Sequence, residues 1–152
     1  MNKQQTLSKI EREWNAFLSI IEGLSDEALS EPNTLGEWSV RDLLAHIATW
    51  DEEAVKALPV ILDGKSPPKY TRYGGINAFN EQEQERKRPL SLSQVKQEMR
   101  DAHQQLVKFL ESVPDDVFLT NPRFQRRLRY DTHRHYPQHA ADVAAYRRAR
   151  GF

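Results

Sequence analysis

Apolar residues recur at steps of three and four along most of the chain, which is the period of an amphipathic α-helix. Four stretches carry this pattern, and they predict main helices over about residues 3–23, 39–62, 91–114 and 134–151. No stretch shows the two-residue alternation of a half-buried β-strand. Four main helices in a chain of this length predict an all-α fold, a four-helix bundle.

Serine residues provide the expected caps of the second and third main helices. Ser39 is followed three residues later by Asp42, the spacing at which two side chains can satisfy free amides of a first turn. Ser91 or Ser93 is expected to cap the third helix.

Two prolines bear on where the helices begin and end. Pro59 falls inside the second main helix, where it should kink or end that helix. Pro137 falls near the start of the last helix, and proline is tolerated only in a first turn. The last helix is therefore expected to begin at about Arg134.

The segments between the main helices are expected to be short helical turns or loops. Residues 25–32 and 115–119 each predict a single turn, and 76–88 predicts a short, largely exposed helix stopped by a proline. Prolines and glycines in 63–75 predict a long surface connection. Residues 121–130 predict an irregular, arginine-rich connection.

The composition narrows the classes of function. The 152 residues fit one domain, residues 1–152, and are enough to bury a core. Lys and Arg total 22, as do Asp and Glu, so the zero net charge does not indicate a nucleic-acid or anionic-membrane partner. The absence of cysteine excludes disulfides, thiolate zinc sites and a cysteine nucleophile. No secretory or membrane-spanning pattern is present, so we expect a cytoplasmic protein without membrane contacts.

Two histidines near the C-terminus could hold one metal ion. His135 and His139 are four residues apart, so a helix places both imidazoles on the same face. A third ligand must come from elsewhere, and His46 lies among apolar residues of the second main helix. Three imidazoles with open coordination positions are typical of a catalytic metal site, since a structural site has a fourth protein ligand. His103 and His133 are expected on the surface.

Each of these candidates has a structural alternative. Taken alone, His46 would be interpreted as a hydrogen-bonded histidine at the edge of the core, and an i, i+4 pair of histidines also arises by chance. Asp42 and Asp142 lie on the same helix sides as His46 and His139, and could orient those rings. Asp42 can also serve as part of a helix cap, and this is the favoured interpretation. Tyr146 is either a core tyrosine or a hydroxyl of the pocket, with the core favoured.

The segment Gly36–Trp50, which contains His46, resembles the DinB/YfiT-like superfamily. Ile76–Asn80 and His135–His139 extend the resemblance to the branch called the ClbS/DfsB family of four-helix bundle proteins. The similarity covers nearly the whole chain in the expected order, although Pro137 is an unusual residue within the last motif. It implies a bundle with a long crossover connection between the second and third main helices, often in a homodimer.

The resemblance also implies a chemistry. Family members typically hold a divalent metal ion with a histidine of the second helix and two from a His-x3-His motif of the fourth, matching His46, His135 and His139. Zinc and nickel are the expected ions, and a low-molecular-weight thiol is a second expected cofactor. Activities in the family include thiol-dependent transferases, a thiol-dependent isomerase, hydrolases, and a resistance protein that opens the cyclopropane of a genotoxin.

Three functions are compatible with these features. The first is a metal-dependent hydrolase or thiol-dependent transferase that acts on a small-molecule substrate at the three histidines. The second is a metal-independent protective protein of the resistance type, which binds a large electrophilic metabolite in an aromatic groove. The residues that would line this groove flank the second helix and the long connection: Trp38, Trp50, Tyr70 and Tyr73.

The third function is an anion- or nucleic-acid-binding module. Residues 121–152 contain eight arginines and two aspartates, a local net charge of +6. Such a patch could contact phosphates, although a solvated loop and helix end is the simpler interpretation, and a nucleic-acid partner is not expected. Arg126, Arg127 and Arg129 could instead steer an anionic thiol or substrate toward the metal.

Overall fold

Eight α-helices make up the architecture, and no β-strand is present. The structure is a computed structural model that describes residues 1–152. The predicted all-α class is confirmed, and none of the helices contains a stretch long and apolar enough to cross a membrane. In chain order the helices are α1 (Lys3–Ile21), α2 (Asp26–Ser30), α3 (Val40–Leu62), α4 (Ile76–Lys87), α5 (Leu92–Ser112), α6 (Val117–Thr120), α7 (Pro122–Asp131) and α8 (His135–Arg150), with a 3-10 turn at Tyr70–Tyr73.

Four helices, α1, α3, α5 and α8, lie where the sequence predicts the main helices. Capping boxes form at the starts of α1, α3 and α5, on Asn2, Ser39 and Ser91. The predicted start of the last helix is confirmed, because Arg134 is its N-terminal cap residue and His135 is its first residue. The two expected single turns are present as α2 and α6.

Pro59 does not end α3, which continues to Leu62. Leu58 and Ile61, on either side of the proline, are buried in the core. Their packing outweighs the backbone hydrogen bond that a proline cannot donate.

Residues 121–130 are not an irregular connection, so that prediction is wrong. They form most of α7, which Asn121 caps by accepting a hydrogen bond from the backbone N–H of Phe124 at 3.0 Å. Phe124 and Leu128, one turn apart, are both buried. This apolar pair holds an otherwise arginine-rich helix against the core.

Helix α3 lies at the centre of the molecule. It packs along α5 and also contacts α2, α4, α7 and α8, while α1 packs against α8. The core between these helices is apolar, and Phe17, Leu44 and Leu106 are fully buried in it. Because α3 contacts α4, α7 and α8, its side chains meet residues from three separate segments of the chain.

The connection between α3 and α5 holds α4 against α3. Gly74 and Gly75 have φ angles of 98° and 108°, which favour glycine, and they lead from the 3-10 turn into α4. Half of the residues of α4 are exposed, fewer than expected. Lys87 is buried, and its Nζ lies 2.9 Å from Glu52 Oε1 on α3. The four-helix bundle with a crossover through this connection, and its assignment to one domain, stay predictions.

Candidate metal centre and pocket

Three histidines from two helices converge at one point. His46 comes from the second turn of α3, and His135 and His139 come from the first two turns of α8. One ligand nitrogen of each ring lies within 4.8 Å of those of the other two. The Nε2 atoms of His46 and His135 are 3.0 Å apart, which is hydrogen-bonding distance. The i, i+4 spacing on α8 and the contact between α8 and α3 produce this arrangement.

Burial keeps the three imidazoles neutral. Desolvation lowers the pKa of His46 to about 3 and the pKa of His135 to about 2, and neighbouring imidazoles add to both effects. Burial also lowers the pKa of His139, against an opposing effect of Asp142. Neutral imidazole is the form that binds metal ions, so these side chains offer lone pairs at neutral pH.

The Nδ1 atoms of His139 and His135 differ in their surroundings. Nδ1 of His139 lies 3.0 Å from Oδ2 of Asp142, which assigns the proton to Nδ1 and leaves Nε2 free. A carboxylate behind a ligating histidine is a common arrangement in metal sites. Nδ1 of His135 is buried without a hydrogen-bond partner. Three neutral nitrogen donors fit zinc, nickel or another ion that accepts imidazole ligands.

The histidines lie at the inner end of a pocket with a volume of about 630 Å³. Ile76, Tyr130, Arg134 and Gln138 are exposed members of its lining, so they mark the mouth. Much of the wall is aromatic, formed by Trp38, Trp50, Tyr70 and Tyr130. The pocket is therefore an open cleft with largely aromatic walls, and it leads from solvent to the three imidazoles.

A chain of hydrogen bonds fixes one polar side of the pocket. Arg127 donates from Nε to Asp131 Oδ2 and from Nη2 to the Tyr70 hydroxyl, both at 2.6 Å. The Tyr70 hydroxyl donates to Glu53 Oε1 at 3.1 Å. Burial raises the pKa of Asp131 to about 7, although Arg127 opposes this shift, and burial raises the pKa of Tyr70 to about 12.

The pocket brings together several residues that the sequence singled out. Trp38, Trp50 and Tyr70 line it, and so does Arg127. Tyr73 does not line it, because its ring packs beside α4, and it is 36% exposed.

Four other candidates lie outside the pocket. Asp42 belongs to the capping box of α3, so the capping interpretation is confirmed, and its carboxylate is not brought to His46. The Tyr146 hydroxyl donates to a backbone carbonyl of α2 at 3.2 Å and does not line the pocket. Arg126 and Arg129 are exposed side chains of α7 that do not line it.

Several arginines of the basic C-terminal segment are engaged within the molecule. Arg123 and Arg147 donate to backbone carbonyls of other segments, and Arg150 donates to a glutamate at 2.7 Å. Arg127 is paired with Asp131. Fewer guanidinium groups are therefore available to phosphates than the local charge of +6 suggests.

Two histidines expected on the surface are buried, so that prediction is wrong. His103 and His133 are each 8% exposed. The ring of His103 stacks on Trp14 with a centroid distance of 3.9 Å, and its Nδ1 lies 3.1 Å from the Tyr136 hydroxyl. The polar sequence neighbours of His103 point to other sides of α5, which is why the local sequence did not indicate its burial.

A buried carboxylate completes this cluster. The Tyr136 hydroxyl donates to Asp51 Oδ1 at 2.7 Å, and Asp51 has no solvent exposure. Burial raises the pKa of Asp51. The sequence contained one indication of this burial. Asp51 lies four residues after Ile47 in the apolar stripe of α3, where a carboxylate is unusual.

Several lining residues had not been assigned to a pocket from the sequence. They belong to α4, α7, α8 and the segment before α8: Ile76, Asn80, Tyr130, Asp131, Arg134 and Gln138. Only the packing of these separate elements shows that they share one pocket.

The chain is similar to known proteins of one superfamily. A family model described as the DinB superfamily matches residues 9–149. The uncharacterized protein YuaE of Bacillus subtilis (strain 168) is 29% identical over 124 residues, 74% of each chain.

Two solved structures share the fold, each with a TM-score of 0.83. The colibactin self-resistance protein ClbS, in complex with double-stranded DNA, is 15% identical, with 96% of this chain and 95% of that chain covered. DfsB, a sibling lethal factor precursor, is 13% identical, with 99% and 97% covered.

Proposed function

The chain belongs to the DinB superfamily, and on that premise we propose that it is a metal-dependent hydrolase or thiol-dependent transferase of a small molecule. A divalent ion, zinc or nickel, would be held by His46, His135 and His139. A low-molecular-weight thiol would be the second substrate of a transferase. The observation that carries the proposal is the convergence of three neutral imidazoles at the inner end of an open pocket.

The metal ion would supply Lewis-acid chemistry, lowering the pKa of a bound water or thiol and polarising an electrophile. The side chains around the ion would orient its histidine ligands and limit the access of water to it. Asp142 holds the ring of His139 in the tautomer that presents Nε2. Trp38 lies beside His46, with ring centroids 4.9 Å apart, and covers part of that imidazole.

Asp131 is the carboxylate of the pocket best suited to exchange a proton. Burial raises its pKa to about 7 against the opposing effect of Arg127, which makes it a stronger proton acceptor than an exposed aspartate. Arg127 fixes the carboxylate by donating to Oδ2 at 2.6 Å. In the proposed reaction Asp131 serves as the proton acceptor.

Metal analysis of protein purified without an affinity tag tests the proposed site. The wild-type protein is expected to contain about one zinc or nickel ion per chain. His139→Gln should lose most of this metal, because two imidazoles alone form a weak, exchangeable site. His133→Gln is the matched control, since His133 is also buried next to α8 but does not line the pocket. Elemental analysis gives the metal content, and circular dichroism checks that each variant is folded.

A folded His139→Gln protein with the wild-type metal content would contradict the proposed site. The same conclusion would follow from a wild-type protein that contains no metal and whose melting temperature does not change when zinc or nickel is added.

The aromatic wall favours a second candidate, a metal-independent protective protein that binds a large electrophilic metabolite. Trp38, Trp50 and Tyr70 offer flat apolar surface for such a ligand. The shared fold with ClbS, a self-resistance protein, supports this candidate by analogy. Activity that persists in full in a chelator would favour it over the metal-dependent enzyme.

A homodimer is the assembly proposed for this protein, and the family resemblance supports it. Large apolar side chains such as Leu119 remain exposed on the single chain. Light scattering should give twice the mass of the chain.

A further inference from the structure

One guanidinium at the mouth of the pocket has no hydrogen-bond or ion-pair partner in the protein. Arg134, the cap residue of α8, is exposed and lines the pocket. Its Cζ atom lies 4.7 Å from the centroid of the Tyr130 ring, so the guanidinium rests on an aromatic face. None of the arginine ion pairs of the molecule includes Arg134.

The other arginine of the pocket lining already has a carboxylate partner. Arg127 is paired with Asp131 at 2.6 Å. Of the two arginines that line the pocket, only Arg134 has no carboxylate beside its guanidinium.

A second donor lies beside this arginine. Gln138 follows Arg134 by four residues on α8, so the two side chains lie on the same side of the helix. Gln138 is exposed and also lines the pocket. The mouth thus presents a guanidinium and an amide next to each other.

The aromatic wall is held in place by contacts within the protein. Trp50 donates from Nε1 to Asn80 Oδ1 at 2.9 Å, and its ring lies 5.1 Å from that of Tyr70, centroid to centroid. Trp38 continues the wall toward His46. A ligand that enters past Arg134 would meet a fixed, flat, apolar surface.

From these contacts we propose that the pocket binds a small organic carboxylate with a flat apolar body, and that Arg134 pairs with the carboxylate. A planar guanidinium can bind both oxygens of a carboxylate at once. Arg126 and Arg129 do not take this role, because they lie outside the pocket. The proposal names a substrate class for the proposed enzyme. It rests on the proposed function only because the enzyme would use the same pocket.

Calorimetric titration of metal-stripped protein with two probes of the same shape tests the proposal. The probes are 2-naphthoate, which carries a carboxylate, and 2-naphthamide, its neutral counterpart. The wild-type protein is expected to bind 2-naphthoate about five times more tightly than 2-naphthamide, as for an ion pair at a partly exposed site. Arg134→Gln should remove this preference without changing the affinity for 2-naphthamide. Arg126→Gln, an exposed arginine of α7 outside the pocket, should keep the preference.

Any of four results would overturn the proposal. The first is equal affinity of the wild-type protein for both probes, and the second is a preference that survives in Arg134→Gln. The third is an equal loss of preference in Arg126→Gln, which would indicate a general charge effect. Failure of the wild-type protein to bind either probe would also overturn it. Because the titration uses metal-free protein, its outcome is independent of the metal content of His139→Gln, so the two proposals can fail separately.

Discussion

A single buried hydroxyl, that of Tyr136, links side chains of three helices. It donates to Asp51 on α3 at 2.7 Å and lies 3.1 Å from Nδ1 of His103 on α5. A phenol has one proton, so the bond to Asp51 makes Tyr136 the acceptor of a proton on His103 Nδ1. Because Tyr136 follows His135 directly in the sequence, these bonds also anchor the first turn of α8.

Replacing Tyr136 with phenylalanine should therefore weaken the fold. Tyr136→Phe leaves Asp51 Oδ1 buried without a donor, and the free energy of unfolding should fall by about 2 kcal/mol. Tyr130→Phe is the control, because Tyr130 is 52% exposed and its hydroxyl can bond to water. Urea unfolding followed by circular dichroism measures both variants. Equal stability of Tyr136→Phe and the wild-type protein would show that the hydroxyl is not required.

At the residue scale, the sequence predicted side chains whose spacing lies within one helix. The pair His135 and His139 and the neighbouring Asp142 could be identified in this way, and their role as a metal site stays a proposal. His103 and Asp51 could not be identified, because their burial depends on contacts among α1, α3, α5 and α8. Such contacts join residues far apart in the chain and leave no local periodicity.

At the scale of the element, the same limit of sequence-based prediction applies to helix α7, whose local pattern does not reveal its contacts with other helices. It supplies Arg127 and Asp131 to the pocket, yet only Phe124 and Leu128 among its ten residues are apolar and buried. Two apolar positions among four arginines do not make a visible stripe. The cap was the better signal, since Asn121 precedes a proline at the first helical position. Helices α1, α3 and α5 could be predicted because each repeats its apolar stripe over four or more turns.

The cap of α7 should contribute measurably to stability. Asn121→Ala removes the acceptor of the Phe124 backbone N–H and should lower the free energy of unfolding by about 1 kcal/mol. Asn77→Ala, an exposed position within α4, replaces the same side chain without removing a cap and should have little effect. Urea titration distinguishes the two variants. Similar effects of both substitutions would contradict the role of Asn121.

At the scale of the whole molecule, the pocket exists only where α3, α4, α7 and α8 meet. The apolar pattern predicts which residues share one face of a helix, but not which helices contact each other. For this reason the sequence suggested three arginines as anion-binding candidates, and only Arg127 lines the pocket, where it is already paired. Arg134, at the mouth, emerged only from the packing.

The buried histidines should make the metal-free protein sensitive to acid. Folding lowers the pKa of His46 to about 3 and of His135 to about 2, from about 6.5, so the unfolded chain binds protons that the folded protein does not. Above pH 6.5 these histidines are unprotonated in both states, so their titration does not affect stability. Below pH 6.5 the unfolded chain takes up protons, and stability falls by up to about 1.4 kcal/mol per pH unit for each histidine.

Thermal unfolding in the presence of a chelator, at pH values above and below about 6.5, measures this loss of stability. Asp131 acts in the opposite direction, because its raised pKa makes the folded protein bind a proton more readily than the unfolded chain. The comparison of wild-type protein with His135→Gln isolates the histidine contribution, and the variant should lose less stability on acidification. Identical slopes for the two proteins would contradict the assigned burial of His135.

The three tryptophans are divided between two environments. Trp38 and Trp50 line the pocket, whereas Trp14 is stacked on His103 in the core. Indole emission responds to the polarity and the groups around the ring, so a ligand that fills the pocket should change the light emitted by two of the three. The protein thus contains an intrinsic optical reporter of its own occupancy, and Trp14 provides a built-in reference.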